Sequence, residues 1–303
     1  MKVLTVIVLG WNGLQLTRET LDSLRACRVP EGWRAHVMVV DNASSDGSPA
    51  AIAADYPWVE LLALNENRRF AGGNNVGITH ALDAGADAVM LLNNDVVADP
   101  GLYEKLLAAL AENPRAGAAA PLIYHAAPSS LIWYAGGRCE PWWAHTSHRG
   151  IRETDSGQYR SIERTGYLTG CCLLATAECW RKVGLLDEAY FIYAEDADWS
   201  LRARAAGFEL LFVPTARLWH QVSASSGGAA SPWKLYQRTR ANARLFARHA
   251  HALAAFTAGP AFLAQSLALL SLMALRGNLA AAGAVARALV DSVTNRNPAE
   301  VKL

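Results

Sequence analysis

The first 123 residues alternate short apolar runs with longer stretches in which apolar positions recur at helical spacing. Apolar runs with few polar interruptions are typical of parallel strands that helices cover on both faces. Five strands are predicted here, with amphipathic helices between them. They are Leu4–Leu9, Ala35–Val40, Val59–Leu64, Ala88–Leu92 and Ala118–Ile123. The pattern therefore predicts an α/β fold with a mostly parallel sheet.

Helix boundaries are best marked after the fourth strand. Asp99 can serve as an N-cap and Pro100 suits the first helical position, so a helix is predicted from there to about Asn113, before Pro114. Residues 131–164 contain few helix formers and predict hairpins and loops. Regular structure then resumes, in predicted elements at Tyr167–Thr176, Ala177–Val183, about Asp196 to Ala206, and Leu210–Val213.

After Pro232 the chain is predicted to be wholly helical, and residues 252–275 contain no charged residue and no histidine. Such a length could span a bilayer, but Gly259 and Pro260 are expected to interrupt it. We therefore favour a helix that lies on a membrane surface, where the flanking arginines would suit anionic lipid. A helical hairpin packed on the domain or on a second subunit is the alternative.

Composition narrows the possible functions. The chain has 303 residues, 52% of them hydrophobic, which is enough for a large core. Lys plus Arg number 28 against 27 Asp plus Glu, so charge gives no reason to expect a nucleic-acid partner. The five cysteines are odd in number, form no C-x-x-C pair and follow no secretory signal. We expect free thiols and a cytoplasmic location.

Polar segments follow each of the first four predicted strands. In an open parallel sheet, ligands bind at the carboxyl ends of the strands. One such segment is easily a turn, but four at one edge predict a ligand crevice. The Gly-rich part of the third segment precedes a predicted helix, so its backbone N–H groups can approach phosphates. The segments are Gly10–Gly13, Asp41–Gly47, Asn65–Asn75 and Asn93–Asp95.

Two common nucleotide-binding classes are excluded by the motifs. No G-x-G-x-x-G follows the first strand, which argues against a dinucleotide-binding dehydrogenase. The chain also lacks the G-x-x-x-x-G-K-[ST] pattern of P-loop NTPases. A nucleotide in this crevice must therefore be held in another way.

The order and spacing of these motifs resemble the inverting, GT-A-fold enzymes of glycosyltransferase family 2, particularly a rhamnosyltransferase-like branch. The resemblance runs from about Val3 to His249. It implies a Rossmann-like, mostly parallel sheet flanked by helices, with a helical C-terminal extension. The matching stretches are Val8–Asn12, Val39–Gly47, Phe70–Gly77, Leu91–Val96, Gly166–Leu174, Gly184–Glu188 and Ala194–Trp199.

The resemblance also implies a nucleotide and metal site. Asp41 matches the aspartate that accepts a hydrogen bond from the pyrimidine base of the donor. Asp95 ends a DXD-type motif and would bind Mg²⁺ or Mn²⁺, while His220 would complete the metal or diphosphate site. The Ser/Gly-rich segment at 223–228 would close over the donor. The nucleotide-binding set is Gly10, Asn12, Asp41, Asn42, Ser44, Gly72, Gly73, Asn74 and Asn94.

Glu195 and Asp196 match the E-D pair of the family, in which the aspartate is the general base. Asp198 is the rival base, but residues two apart on a helix point in different directions, so only one should face the crevice. Alternatively, these carboxylates merely stabilise a helix N-terminus. We place Gly170, Trp142 and Asp198 on the acceptor side.

The expected function is metal-dependent transfer of a sugar, L-rhamnose, from a dTDP- or UDP-linked donor to a glycan or polyprenyl-linked acceptor. Residues 1–231 would form the catalytic domain, as a nucleotide-binding half (1–123) and an acceptor half (124–231). Residues 232–303 would contact the inner face of the cell membrane or form a homodimer. One alternative is a catalytically silent nucleotide-sugar-binding or membrane-associated subunit. A sugar nucleotidyltransferase would need a basic Gly-rich loop after the first strand, which is absent.

Overall fold

The computed structural model describes residues 1–126, 129–221, 230–250 and 252–294. Its first part is a parallel sheet in the order β3-β2-β1-β4. The register places Gly10 opposite Asp41 and Leu9 opposite Asn93, so β1, β2 and β4 end at one edge. The elements are β1 (Lys2–Gly10), α1 (Leu14–Arg25), β2 (Trp33–Asp41), α2 (Ser48–Asp55), β3 (Glu60–Ala63), α3 (Arg69–Asp83) and β4 (Ala88–Asn93).

The next part of the chain extends the same sheet and makes it mixed. Its elements are β5 (Val96–Ala98), α4 (Leu102–Glu112), β6 (Ala116–His125), β7 (Ile132–Tyr134), β8 (Gly137–Glu140), a 3₁₀ turn (Pro141–Trp143), β9 (His145–His148), β10 (Glu163–Arg164), β11 (Cys172–Thr176), α5 (Ala177–Val183), α6 (Glu195–Ala205) and β12 (Glu209–His220). β11 lies antiparallel between β4 and β6, and β12 pairs in parallel with β6. β8 and β9 form a separate hairpin.

β11 returns the chain to the edge where β1, β2 and β4 end. Its first residue, Cys172, pairs with Leu92 near the carboxyl end of β4, and the backbone N–H of Asn93 donates to Cys171. The far end of β12 pairs with β5, so that His220 lies opposite Val96. Residues distant in sequence are thereby brought beside Asn93–Asp95. All five cysteines are free thiols, as expected.

Three helices complete the described chain: α7 (Pro232–His249), α8 (Ala252–Leu275) and α9 (Leu279–Val293). α8 packs against α7, α9 and the 3₁₀ turn. The expected interruption at Gly259–Pro260 is wrong, because α8 continues through Pro260. Pro260 has no N–H, so the backbone carbonyl of Phe256 loses its helical hydrogen bond. Phe256 is 80% exposed, so water can bond to that carbonyl instead.

Two local predictions also need correction. α4 begins at Leu102 rather than Pro100, because the Asp99 carboxylate accepts from the backbone N–H of Gly101 in a turn before the helix. The Gly-rich segment does not precede a helix but forms the first turns of α3. A Cβ on Gly73 would lie 2.6 Å from Cδ1 of Leu9, and one on Gly77 2.9 Å from Cγ2 of Ile7. These glycines therefore allow α3 to lie close on β1.

Candidate active site

A cavity of about 580 Å³ opens at the edge of the sheet where the strands end. That volume lies within the usual range for small-molecule sites. Four of the residues singled out from the sequence line it: Gly170, Glu195, Asp196 and His220. They come from the loop before β11, the start of α6 and the end of β12. Tertiary structure thus gathers them from three separate segments.

Asp196 is held in a fixed orientation at the start of α6. Its Oδ2 accepts from the backbone N–H of Gly170 at 2.9 Å, and its Oδ1 accepts from the N–H of Ala197 at 2.7 Å. Burial raises the pKa of the carboxyl, although these backbone hydrogen bonds partly oppose the rise. A carboxylate with a raised pKa takes a proton more readily than one with the usual pKa.

Glu195 is a second carboxyl in the same cavity. It is 6% exposed, and its Oε2 has no hydrogen-bond partner among the described residues. Burial, followed by the neighbouring charge of Asp196, raises its pKa. Because two buried like charges are costly, the pair favours a state in which one carboxyl keeps its proton.

Asp198 has different surroundings and does not line the cavity. It is completely buried and lies 2.9 Å from Nε of Arg202, 2.8 Å from Nε2 of His249 and 3.2 Å from Arg248. Burial alone would raise the pKa of Asp198, but the hydrogen bonds from His249 and Arg202 lower it overall. Asp198 therefore joins α6 to the end of α7, and its acceptor-side placement finds no support in this geometry.

Asp95 and His220 face each other beside Asn93. Oδ1 of Asp95 lies 3.1 Å from Nε2 of His220, yet this buried oxygen has no aligned hydrogen-bond donor among the described residues. His220 is packed edge-on against Trp133, with ring centroids 4.7 Å apart. A carboxylate oxygen and an imidazole nitrogen that converge without a hydrogen bond suit a shared divalent cation. The two side chains therefore fit a metal ion supplied with further ligands by a substrate.

Hydrogen bonds join the two predicted nucleotide-binding loops that follow β1 and β2. The backbone N–H of Asn12 donates to Oγ of Ser44, and Oδ1 of Asn12 accepts from the N–H of Ser45. Asp41 is buried at the end of β2 and accepts from the N–H of Ser44. Asp46, which the sequence reasoning did not assign, accepts from the first N–H groups of α1.

The asparagine side chains of the predicted nucleotide-binding set mostly form hydrogen bonds with the protein backbone. Asn42 donates to Asn67 and to the carbonyl of Arg69, and its Oδ1 accepts from the N–H of Arg68. Asn74 donates to the carbonyl of Phe70.

The remaining members of that set, like the residues already described from it, are not among the described residues that line the cavity. Asn94 donates to Oγ1 of Thr17 on α1. A Cβ on Gly10 would make only ordinary contacts, whereas one on Gly72 would approach Glu188 to 3.1 Å. Gly72 and Gly73 thus serve helix packing in this structure.

Several cavity residues were missed in the sequence. Trp133, His148 and Tyr167 form an aromatic wall, and burial lowers the pKa of His148 to about 4. Arg238 and Asn242 enter from α7. The tryptophan- and histidine-rich composition of 131–164 could have signalled Trp133 and His148, but Tyr167 lies outside that segment. The Ser/Gly-rich segment at 223–228 lies outside the described residues.

Trp142 is not among the residues that line the cavity. It lies in the 3₁₀ turn beside α8 and is 47% exposed. Gln265 of α8 donates to the carbonyl of Trp143 and fastens that turn to the helix. The acceptor-side placement of Trp142 therefore gains no support from the geometry, because the residue is on an exterior surface.

Comparison with known proteins decides the family. The family model described as "Glycosyltransferase like family 2" matches residues 2–244. The chain belongs to this glycosyltransferase family. It is 35% identical over 214 residues to an N-acetylglucosaminyl-diphospho-decaprenol L-rhamnosyltransferase of Mycobacterium tuberculosis, covering 63% of this chain and 68% of the relative. A dTDP-rhamnosyl transferase of Shigella flexneri is 26% identical, covering 71% of this chain and 72% of the relative.

Solved structures of glycosyltransferases share the fold. A mannosyltransferase from Pyrobaculum calidifontis, in complex with GDP-Man and Mn²⁺, superposes with a TM-score of 0.61 at 18% identity and covers 97% of this chain and 87% of its own. The structure of GalNAc-T7 with UDP, GalNAc and Mn²⁺ gives the same TM-score at 18% identity, covering 80% of this chain and 47% of its own. The expected GT-A fold of this glycosyltransferase is confirmed.

Proposed function

We propose that this glycosyltransferase transfers L-rhamnose, with inversion, from a dTDP-linked donor to a sugar on a polyprenyl diphosphate in the synthesis of a cell-surface polysaccharide. The structural observation that supports the chemistry is a half-buried, doubly hydrogen-bonded Asp196 in the cavity at the strand ends. The donor and acceptor classes are supported by the names of the two relatives. UDP is the alternative donor nucleotide.

In this proposal Asp196 removes the proton from the acceptor hydroxyl as that oxygen attacks the anomeric carbon. The N–H groups of Gly170 and Ala197 keep the carboxylate pointed into the cavity. Glu195 remains protonated while Asp196 is ionised, so its O–H can donate to a sugar hydroxyl or ring oxygen. Attack from the side opposite the diphosphate produces inversion.

The nucleotide would lie across the loops after β1, β2 and β4, with Asp41 at the base. Asp95 and His220 would hold Mg²⁺ or Mn²⁺ together with the donor diphosphate. This role is supported by the buried Oδ1 of Asp95, which lies beside Nε2 of His220 and has no hydrogen-bond donor among the described residues. When bound, the ion neutralises charge that develops on the departing diphosphate. Arg238 lies in the same cavity and adds a positive charge there.

Donor binding is tested by thermal unfolding with dTDP, UDP or GDP, each with and without Mn²⁺. We expect dTDP or UDP to raise the melting temperature, and Mn²⁺ to increase the rise. The absence of a shift with every nucleotide would favour a silent subunit. Transfer is tested by incubating dTDP-L-rhamnose with N-acetylglucosaminyl diphosphates bearing isoprenoid tails and detecting the disaccharide product by mass spectrometry. Product from another sugar nucleotide only would refute the rhamnose assignment.

We further propose that α8 rests on the cytoplasmic face of the membrane while residues 1–231 carry the catalytic chemistry and α7 closes the cavity. Residues 253–275 are long and apolar enough to cross a bilayer, and only 17% of this segment is buried. Its exposed residues include Leu253, Phe256 and Leu275, at 72%, 80% and 87% exposure. An apolar surface of this kind marks a membrane or protein contact.

Liposome flotation tests the membrane contact. Phe256→Glu should abolish binding to vesicles that contain anionic lipid, whereas Ile162→Glu, at another exposed apolar residue, should not. Sedimentation in detergent-free buffer tests the homodimer alternative. A stable dimer that is broken by Phe256→Glu, with no vesicle binding by the wild type, would show that α8 is a subunit interface.

A further inference from the structure

An apolar cavity of about 390 Å³ lies between α7, α8 and α9, outside the catalytic cavity. Its walls include Phe246 and Ala247 of α7, Phe262 of α8 and Leu289 of α9. Among the described lining residues, Ser292 is the one with a polar side chain. The cavity is as large as those that bury small ligands, and nothing polar in it would hold water well. Its chemistry suits a flexible hydrocarbon chain.

A second cavity, of about 660 Å³, adjoins the first and is positively charged. The two share Ala243, Ala247 and Ser292. Arg240, Arg244 and Arg248 line the second cavity.

Asp187 is the one carboxylate among the described lining residues, although Arg248 also contacts Asp198 and Arg240 donates to the backbone carbonyl of Asp291. Asp187 lies 3.8 Å from Arg244 and also pairs with Arg248. The lining therefore carries a net positive charge and suits an anionic group that emerges from the apolar cavity.

The charged cavity also borders the catalytic one. Ile192 lines both, at the turn that leads into α6. An apolar, a basic and a catalytic cavity thus follow one another around α7. A molecule with a hydrocarbon tail, a diphosphate and a sugar has the same order of chemical groups.

We propose that the apolar cavity binds the isoprenoid tail of a polyprenyl-diphosphate acceptor, and that Arg244 and Arg248 face its diphosphate. This assignment rests on the proposed function and adds a subsite to it. The tail enters from the exposed side of α8, where Leu263 belongs to the cavity lining and is itself half exposed. The sugar passes Ile192 towards Asp196.

A filling substitution with a matched control tests the subsite. A Cβ on Gly259, which lines the apolar cavity, meets no atom within 4 Å, so Gly259→Leu fills the cavity without a backbone clash. Gly283 of α9 also has open space but does not line the cavity, so Gly283→Leu is the control. Both changes replace glycine within a helix and should not weaken it.

The first readout needs no catalysis. Geranylgeranyl diphosphate should raise the melting temperature of the wild type more than inorganic diphosphate or a phosphocholine detergent of equal chain length. Gly259→Leu should remove this increment, and Gly283→Leu should retain it. Equal shifts with the lipid diphosphate and the detergent, or an increment that survives in Gly259→Leu, would overturn the subsite.

The second readout is kinetic. N-acetylglucosaminyl diphosphates with tails of two and four isoprene units are compared as acceptors. Gly259→Leu should raise KM for the longer acceptor at least ten-fold, towards the value for the shorter one, without altering KM for the donor. Arg244→Gln should raise KM for both acceptors. Loss of all transfer with the lipid-specific thermal shift intact would refute the proposed reaction but not the subsite.

Discussion

Asp196 and Asp198 lie two residues apart on α6, yet the structure predicts opposite consequences when each is changed to Asn. Asp196→Asn should greatly slow transfer in a protein that still folds and binds the donor nucleotide. Asp198→Asn should weaken the fold while leaving the chemistry in place. The physical reason is that one carboxylate faces the catalytic cavity and the other is enclosed by cations.

For Asp196→Asn the expected loss in kcat is roughly 10²- to 10⁴-fold, which is the usual contribution of a positioned base. The stability change combines two opposed effects. An Asn side chain has one acceptor oxygen, so the N–H of either Gly170 or Ala197 loses its partner, at a cost of about 1–3 kcal/mol. Removal of a partly buried charge offsets part of that cost. The net change should therefore be small.

For Asp198→Asn the loss of charge leaves Arg202, Arg248 and His249 without their common anion. Breaking a buried ion pair by removing one partner costs roughly 3–5 kcal/mol. The lower end of that range applies, because the side chain of Arg248 is 42% exposed and water can solvate it. The melting temperature should fall by on the order of 10 °C.

Three measurements on both variants separate the roles: thermal unfolding, the thermal shift with dTDP and Mn²⁺, and initial rates with saturating donor and acceptor. The rates are taken well below the melting temperature of Asp198→Asn, so that only folded protein is compared. If Asp196→Asn keeps more than a tenth of wild-type kcat, or if Asp198→Asn alone is inactive while fully folded, our assignment of the base is wrong.

Three further outcomes are expected. The metal-dependent part of the nucleotide shift should disappear in both Asp95→Asn and His220→Ala, while the metal-free part remains; an unchanged Mn²⁺ effect in thermal unfolding would remove them as ligands. kcat/KM should rise with pH, with a midpoint above 3.8, because burial raises the pKa of Asp196. The same rise in pKa stabilises the folded protein at low pH, and this stability is lost as pH rises. Urea unfolding at several pH values therefore provides a second check. Gly73→Ala should lower the free energy of unfolding by up to about 2 kcal/mol, since its Cβ would lie 2.6 Å from Leu9, whereas Gly283→Ala should stabilise slightly; equal effects would contradict the packing role of Gly73.

The sequence predicted the strands of the first half well, because buried parallel strands are marked by continuous apolar runs. It also placed Asp41 and Asn93 at one edge, since parallel strands in a βαβ arrangement end on the same side. The role of the Gly-rich segment was harder to predict from the sequence. Glycine allows a backbone to approach either a phosphate or another element, and only the structure shows Gly73 pressed against β1.

The family resemblance also singled out the short Glu195–Asp198 segment, because Glu195 and Asp196 match the E-D pair of the family. It could not establish the roles of Asp196 and Asp198. The different roles of the two aspartates depend on distant residues. Gly170, which bonds to Asp196, lies 26 residues away along the chain, and His249, which bonds to Asp198, lies 51 residues away. Contacts at such separations arise from the packing of β11 and α7 and leave no local pattern.

Local sequence thus determined the fold class and the strand ends, because periodicity, turn residues and motif spacing are properties of neighbouring positions. The family resemblance that these motifs carry named Asp196 as the candidate base. Tertiary structure decided which carboxylate faces the cavity, that Asp95 and His220 converge, and that Trp142 lies beside α8 rather than in the cavity. Burial and long-range pairing set the charge state and orientation of a side chain, and neither is fixed until distant segments pack together.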